Sequence, residues 1–284
     1  MIGATKIFAL LGRSVDYSYS PLIHNCAFRL LGLPCHYTLF NISAPELVGD
    51  ALRGAKALGM GGFSVTIPYK KTVVPFLDEL SEEAASIQAV NTIVNENGRL
   101  VGYNTDIAGF AAPLLPHLER ITGRTVSLFG AGGAALAAIK AFNQCIAPKK
   151  ILLFVRDREK ARRQLDESGY TSAIPVTILS QERVDEVREC CLIVNATPLG
   201  TKGSNSSPLP LDRALLNQGQ IVYDMVYNPL DTPLLLAAKR AGAATIPGIE
   251  MLIGQAEKAF RLWTGMPMPV NRVREELLQE IQQV

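Results

Sequence analysis

Three short stretches of the chain hold residue types whose spacing could do chemistry. In "VSLFGAGGAAL", Gly130, Gly132 and Ala135 form a G-x-G-x-x-A arrangement directly after an apolar run and at the start of an alanine-rich segment. The first glycine permits a tight turn, the second lets the backbone approach a pyrophosphate, and the small third residue lets a helix pack closely on a strand. Amide groups at the start of that helix then face the phosphates. The next apolar run, "KILLFV", leads into "RDREKA". Asp157 there suits a free ribose diol, whereas Arg156 and Arg158 suit a ribose 2′-phosphate. Two cations beside one anion favour NADP and leave NAD open. The third stretch is "FSVTIPYKK", where Phe63, Val65 and Ile67 alternate with Ser64 and Thr66 at the period of a strand. Pro68 donates no ladder hydrogen bond, so the strand ends there and delivers Tyr69, Lys70 and Lys71 at its mouth. Read alone, it also fits a solvated strand end.

The elements that must position these residues alternate along the chain. Lys6 to Gly12 reads as a first strand, and "SPLIHNCAFRLLGL" as a helix with Ser20 as its cap, Pro21 at its first position and Gly32 closing it. "HYTLFNI" reads as a strand, "APELVGDALRGAKALG" as a helix, and Asn97-Gly98 as the turn of a hairpin. This is an α/β unit with a mostly parallel sheet. From about residue 120 the alternation restarts through "TVSLF", "KILLFV", "CLIVN", "QIVYD" and "AATIP", the pattern of a doubly wound Rossmann sheet whose ligands bind beyond the carboxyl ends of its strands. "GIEMLIGQAEKAFRLWTG" and "PVNRVREELLQEIQ" are two amphipathic helices with no strand between them, which pack back on the first domain. The expected domains are 1–105 with 249–284 for substrate and 106–248 for the dinucleotide.

Composition narrows the class. The chain has 284 residues, enough for two cores, and its 48% hydrophobic and 19% charged content is that of a folded protein rather than a disordered one. A net charge of +2, with no basic run interleaved with aromatics, argues against nucleic acid. The N-terminal apolar run has no small-residue cleavage site and is too short to span a bilayer. Five cysteines without a CxxC pair and three histidines without ligand spacing imply reduced thiols, no metal and a cytoplasmic protein. Cys26, Cys145 and Cys191 read as core fillers.

Several stretches together resemble the shikimate dehydrogenase family over nearly the whole chain. They are the paired serines Ser18 and Ser20 in "YSYSPLIHN", "SVTIPYK", Ala89 to Thr92, Gly102 to Asp106, "GAGGAA", "NATPLG" from Asn195, "DMVYNP" from Asp224 and "GIEMLIGQA" from Gly248. The resemblance implies that Ser18 and Ser20 hold a substrate carboxylate, and that Thr66, Lys70, Asn91, Asp106 and Gln255 meet ring hydroxyls with Tyr227 nearby. It implies cofactor contacts from Gly130, Ala131, Gly132, Gly133, Ala134, Arg156, Thr197, Met225 and Gly248, and a place for Glu82 at the nicotinamide end. Asparagine and glutamine amides suit adjacent hydroxyls because they both donate and accept. The chain departs from the family pattern at Ser64, where asparagine is usual, and at Val155-Arg156-Asp157, where asparagine-arginine-threonine is common.

The reaction so implied is reversible hydride transfer between a nicotinamide and C3 of a shikimate ring, a step of aromatic amino acid biosynthesis, in a monomer or homodimer. Lys70 would then serve as proton donor to the developing alkoxide, with Asp106 keeping it charged and oriented. Lys71 reads as a solvated neighbour, and Asp106 also as a helix cap before "IAGF". Three rivals remain: a quinate/shikimate dehydrogenase tolerant of NAD, methylenetetrahydrofolate dehydrogenase, whose lysine-bearing two-domain layout is similar, and a nicotinamide-binding module without turnover.

Overall fold

Short apolar runs bounded by glycine, proline and polar turns become the strands of two six-stranded sheets. The computed structural model describes residues 5–167, 173–202, 209 and 211–283. The chain divides into two units, Met1–Thr105 with Gln255–Val284, and Asp106–Gly254.

The first unit contains β1 (Lys6–Gly12), β2 (Cys35–Asn41), β3 (Gly62–Val65), β4 (Glu79–Leu80), β5 (Thr92–Glu96) and β6 (Arg99–Tyr103), in the order β2-β1-β3-β5-β6-β4. The pairs β1–β2, β1–β3 and β4–β6 are parallel, while β5 runs antiparallel to both neighbours. Asn97 and Gly98 join β5 to β6 with φ of 54° and 91°, the positive values that a two-residue hairpin requires. β3 stops at Val65, two residues earlier than its alternation suggests. Ile67 lies beyond the ladder and is 75% exposed, next to the cis Ile67–Pro68 bond.

The helix Ser20–Leu30 corrects one expectation in detail. Ser20 is its first helical residue rather than its cap, Pro21 follows in the first turn, and no side chain caps its N-terminus. Instead Ser18 Oγ accepts from the Ser20 N–H at 3.2 Å. Gly32 ends the segment at φ 63°.

This helix buries Ser20, His24, Ala27 and Phe28. The spacing of Ser20, His24 and Phe28 puts them on one face. Helix Gly248–Thr264 supplies Phe260 and Trp263 to the same layer, where the His24 ring lies 4.5 Å from Tyr37 and 5.0 Å from Trp263 between centroids. Trp263 Nε1 donates to the Ile93 carbonyl at 3.0 Å, and a Cβ on Gly62 would come within 2.6 Å of that nitrogen, so only glycine fits beneath the indole. Helix Val270–Gln283 docks through Glu276, which pairs with Arg29 and accepts from the Cys26 thiol. The opposite face of the sheet packs Phe63, Val65 and Ile93 against Val48, Leu52, Tyr69 and Val73.

The second unit is wholly parallel: β7 (Thr125–Phe129), β8 (Lys150–Val155), β9 (Val176–Ser180), β10 (Leu192–Asn195), β11 (Ile221–Asp224) and β12 (Ala244–Pro247), in the order β12-β11-β10-β7-β8-β9. The strands β10 and β11 are buried throughout, as expected of a sheet covered on both faces. Sequence reading misses β9, because this edge strand buries only Leu179 and lacks the continuous apolar run of its neighbours. The chain order reverses across β7, between β10 and β8, which opens a crevice beyond their carboxyl ends.

The cysteines depart from expectation at one position. Cys191 and Cys190 are buried, Cys26 is half-buried, but Cys145 is exposed at the end of the segment Phe142–Ile146 and fills no core. No described helix is long and apolar enough to cross a membrane.

His24 sets a pH dependence. It is fully buried with both ring nitrogens unpartnered, and burial pushes its imidazole down to about 3. The unfolded chain therefore takes up a proton here below about pH 6.5 that the folded chain refuses. The associated stability is complete above that pH and is lost as pH falls towards 3. Between pH 7.5 and 5 this group should cost about 2 kcal/mol. Unfolding free energies from urea titrations of the wild type and His24→Phe should diverge by that amount between the two pH values; parallel losses would refute the assignment.

Candidate functional site

The crevice in the second unit begins where β7 ends. Gly130 has φ 103°, and a Cβ there would stand 3.0 Å from Thr197 Cγ2 and 3.1 Å from the Ala196 carbonyl oxygen. Both the backbone angle and the neighbours demand glycine. Helix Gly133–Ala141 follows with no side-chain cap, leaving its first amides for an anion. Ala135 is fully buried against the sheet, as the small third residue of the pattern should be.

A cavity of about 710 Å³ lies at this point, and its walls include Gly130, Ala131, Gly132, Arg156, Asp157 and Thr197. Among the described residues, Gly133, Ala134 and Arg158 flank this cavity rather than line it. Asp157 Oδ1 accepts from the Lys160 N–H at 2.9 Å, so the carboxylate caps the helix Arg158–Glu167. Lys160 and Gln164, one turn apart on that helix, reach the wall together with Gln181. Sequence reasoning missed these three. The i, i+4 spacing of Lys160 and Gln164 was the available signal, whereas nothing local marks Gln181.

Behind the cavity lies a buried polar network. Asn195 Oδ1 accepts from the Thr197 N–H at 3.0 Å and its hydroxyl at 2.6 Å, while Asn195 Nδ2 donates to Asp224 Oδ1 at 2.9 Å. Asp224 also accepts from the Thr232 hydroxyl at 2.6 Å and the Val226 N–H at 3.1 Å. Burial raises its carboxyl above the ordinary value despite these three donors. Met225 and Tyr227 lie half-buried on the loop that Asp224 begins. A Cβ on Gly248 would press within 2.5 Å of the Met225 carbonyl oxygen, which explains a glycine there.

In the first unit, residues from separate stretches meet beyond the carboxyl ends of β1 and β3. Ser18 Oγ donates to Ser20 Oγ at 3.1 Å, and the Ser18 N–H bonds the Val15 carbonyl at 2.9 Å. Thr66 lies against the same turn: a Cβ on Gly12 would meet Thr66 Cγ2 at 2.5 Å and Val15 Cγ1 at 2.4 Å. Tyr69 anchors the next turn, fully buried, with its hydroxyl donating to the Ile42 carbonyl at 2.6 Å. The Lys70 carbonyl accepts from the Val90 N–H at 2.8 Å, and the Asn91 carbonyl from the Val65 N–H at 2.7 Å. Lys70 is half-buried and Lys71 exposed.

Asn91 is 3% exposed and tied to Thr105, accepting from the Thr105 N–H at 2.7 Å and donating to its hydroxyl at 3.0 Å. Asp106, the next residue, begins the helix Asp106–Ala111 and is itself buried. Gln255 is half-buried within helix Gly248–Thr264, and Glu82 is exposed at the start of helix Glu82–Ile87, which Ser81 caps.

Comparison with known proteins agrees along the whole chain. Residues 10–93 match the family model of the shikimate dehydrogenase substrate binding domain, and residues 248–278 that of the shikimate 5'-dehydrogenase C-terminal domain. A shikimate dehydrogenase (NADP(+)) of Pelodictyon phaeoclathratiforme is 71% identical over 283 residues, covering 100% of both chains. Among solved structures, a shikimate dehydrogenase in complex with NADP+ has a TM-score of 0.87 at 34% identity, covering 98% of this chain and 96% of its own. Quinate dehydrogenase from Corynebacterium glutamicum in complex with NAD has a TM-score of 0.87 at 30% identity, covering 98% and 100%.

Gly130→Ala tests the cradle. The strained φ and the contact with Ala196 and Thr197 should cost about 1–3 kcal/mol, seen as a lower melting temperature. Dinucleotide affinity should fall with it, and an unchanged affinity would show that the turn is not the binding element.

Proposed function

Because the chain belongs to the shikimate dehydrogenase family, we propose that it interconverts 3-dehydroshikimate and shikimate with NADP(H), in aromatic amino acid biosynthesis. What supports this reading is that Ser18 and Ser20 are hydrogen-bonded to each other, while the backbone segments of Thr66, Lys70 and Asn91 meet beyond the carboxyl ends of β1 and β3. Domain roles follow from it. The unit with the rim takes the small-molecule substrate, and the unit with the glycine turn takes the dinucleotide. The five cysteines are free of disulfides, which supports a cytoplasmic enzyme, and we read it as a monomer or homodimer that acts on a small molecule.

The residues around the 710 Å³ cavity fit NADP. The uncapped helix start and the Gly130 turn suit a pyrophosphate, and Arg156 with Lys160 suits the 2′-phosphate. Asp157 is engaged with its own helix, which lessens its pull towards a free diol. Ala131, Gly133, Ala134, Arg158, Thr197, Met225, Gly248 and Glu82 complete the proposed cofactor set. When bound, the nicotinamide supplies or receives the hydride.

The substrate side is the work of this chain's own groups. Ser18 and Ser20 at a helix start hold the carboxylate, and Thr66, Asn91, Gln255 and Asp106 hold ring hydroxyls, with Tyr227 beside them. As the C3 carbonyl oxygen gains negative charge, the Lys70 ammonium lowers the barrier and donates its proton from Nζ. In the reverse direction Lys70 takes up the hydroxyl proton, and Asp106 keeps the side chain oriented.

Lys70→Ala should lower kcat by about 10²–10⁴-fold and change KM for shikimate far less, the mark of an interaction made mainly in the transition state. Near-normal turnover would sink the role. Initial rates with shikimate and quinate, each with NADP and NAD, test the reading as a whole and expose a quinate dehydrogenase if quinate with NAD proves faster. Arg156→Ala should raise KM for NADP by about tenfold or more, as loss of a charge-assisted bond implies, with little change for NAD. An equal rise with both would mean that Arg156 does not read the 2′-phosphate.

A further inference from the structure

Tyr37 is a buried side chain whose polar atom has no evident employment. Its ring is 1% exposed and stacks on His24 at 4.5 Å, one helical turn beyond Ser20 on the same helix face. Its backbone is clamped by Asn25, which accepts from the Tyr37 N–H at 2.8 Å and donates to its carbonyl at 2.9 Å. Strand register sets its direction. Tyr37 pairs with Phe8, Phe8 with Gly62, and Leu10 with Ser64, so Tyr37 and Ser64 share one face of the sheet with the helix above them. The Tyr37 hydroxyl thus adjoins the hydroxyls of Ser20 and Ser64, yet meets neither in hydrogen-bond geometry. Burial also pushes its pKa up, so it remains a neutral donor.

A buried donor left unmade is costly, and at a ligand site it asks what partner the ligand state supplies. The serines answer. In the structure Ser18 Oγ donates to Ser20 Oγ. A carboxylate before the two serines accepts both hydroxyl protons, so Ser18 turns away and Ser20 Oγ loses the proton it was receiving. Among the described residues, Tyr37 supplies an adjoining buried O–H without an acceptor.

We propose that Tyr37 is a positioning residue for the substrate carboxylate: it donates to Ser20 Oγ in the bound state, fixing the Ser20 hydroxyl so that its proton points at the carboxylate. The chain Tyr37 O–H to Ser20 O–H to carboxylate also polarises Ser20, strengthening its bond to the anion. Tyr37 itself stays beneath the site and does not touch substrate. This rests on the reading of Ser18 and Ser20 as the carboxylate site.

The test compares shikimate with its methyl ester, which keeps the ring and removes the anion, by KM or, for a ligand not turned over, by dissociation constant. Tyr37→Phe removes only an oxygen that has no partner, so the melting temperature should hold. Its KM for shikimate should rise about tenfold, with kcat and KM for NADP within about twofold of wild type, and preference for shikimate over the ester should fall by the same factor. Ser64→Ala, which removes the other neighbour, should leave that preference unchanged. An unchanged preference in Tyr37→Phe, an equal loss with both ligands, or the same loss in Ser64→Ala would each overturn the proposal. Ser20→Ala separates the two levels: if it too leaves the preference intact, the carboxylate reading fails, whereas a loss there without one in Tyr37→Phe refutes only the part given to Tyr37.

Discussion

A buried asparagine carboxamide at the end of a strand does the same work in each sheet, and both candidate clusters depend on it. Where the chain leaves a ladder, its backbone groups lose their partners and must find others or face water. Asparagine can supply both a donor and an acceptor from one short side chain. Asn91, just before β5, accepts from the Thr105 N–H and donates to its hydroxyl, and so fixes the backbone one residue before Asp106. Asn195, the last residue of β10, takes the Thr197 N–H and hydroxyl and hands its own donor to Asp224. Losing either carboxamide would free a loop that carries a residue proposed for the site.

The polar groups beneath the sites are arranged to stay uncharged or fully paired. His24 is held neutral by burial, and Tyr37 lies against it as a neutral phenol. Asp224 has three donors and still feels its burial. In a low-dielectric layer of this kind, a few aimed donors count for more than they would in water. The cations proposed for the chemistry stand instead at a strand end and along the cavity: Lys70 is half-buried, and Arg156 and Lys160 border the cavity.

Glycines mark the places where backbone must approach backbone or ring. Gly130 sits against the Ala196 carbonyl, Gly248 against that of Met225, and Gly62 beneath Trp263. The first of these announces itself in a motif. Gly248 also heads a recognisable stretch, but Gly62 does not, because the indole that excludes a side chain there comes from far along the chain.

Much of the architecture was legible in residue order. Period-two and apolar runs, the Asn97-Gly98 turn and the strand-to-helix setting of Gly130 are local signals, and β1, the β5–β6 hairpin and the parallel second sheet follow from them. The motifs also point to Gly130, Ala131, Gly132, Arg156, Asp157 and Thr197, which line the cavity. The misreadings have one physical origin. Ser20 reads as a cap, Ile67 as strand and Cys145 as core, and β9 goes unrecognised; in each case burial or hydrogen bonding is decided by partners remote in sequence. The same holds for Lys160 and Gln181 at the cavity and for Tyr37 beneath Ser20. Local pattern determined which elements form and which residue types stand at their ends, because period and turn chemistry act over a few residues. Only the tertiary structure decided which side chains lose water and which donors are left unmet, because desolvation depends on everything packed around an atom.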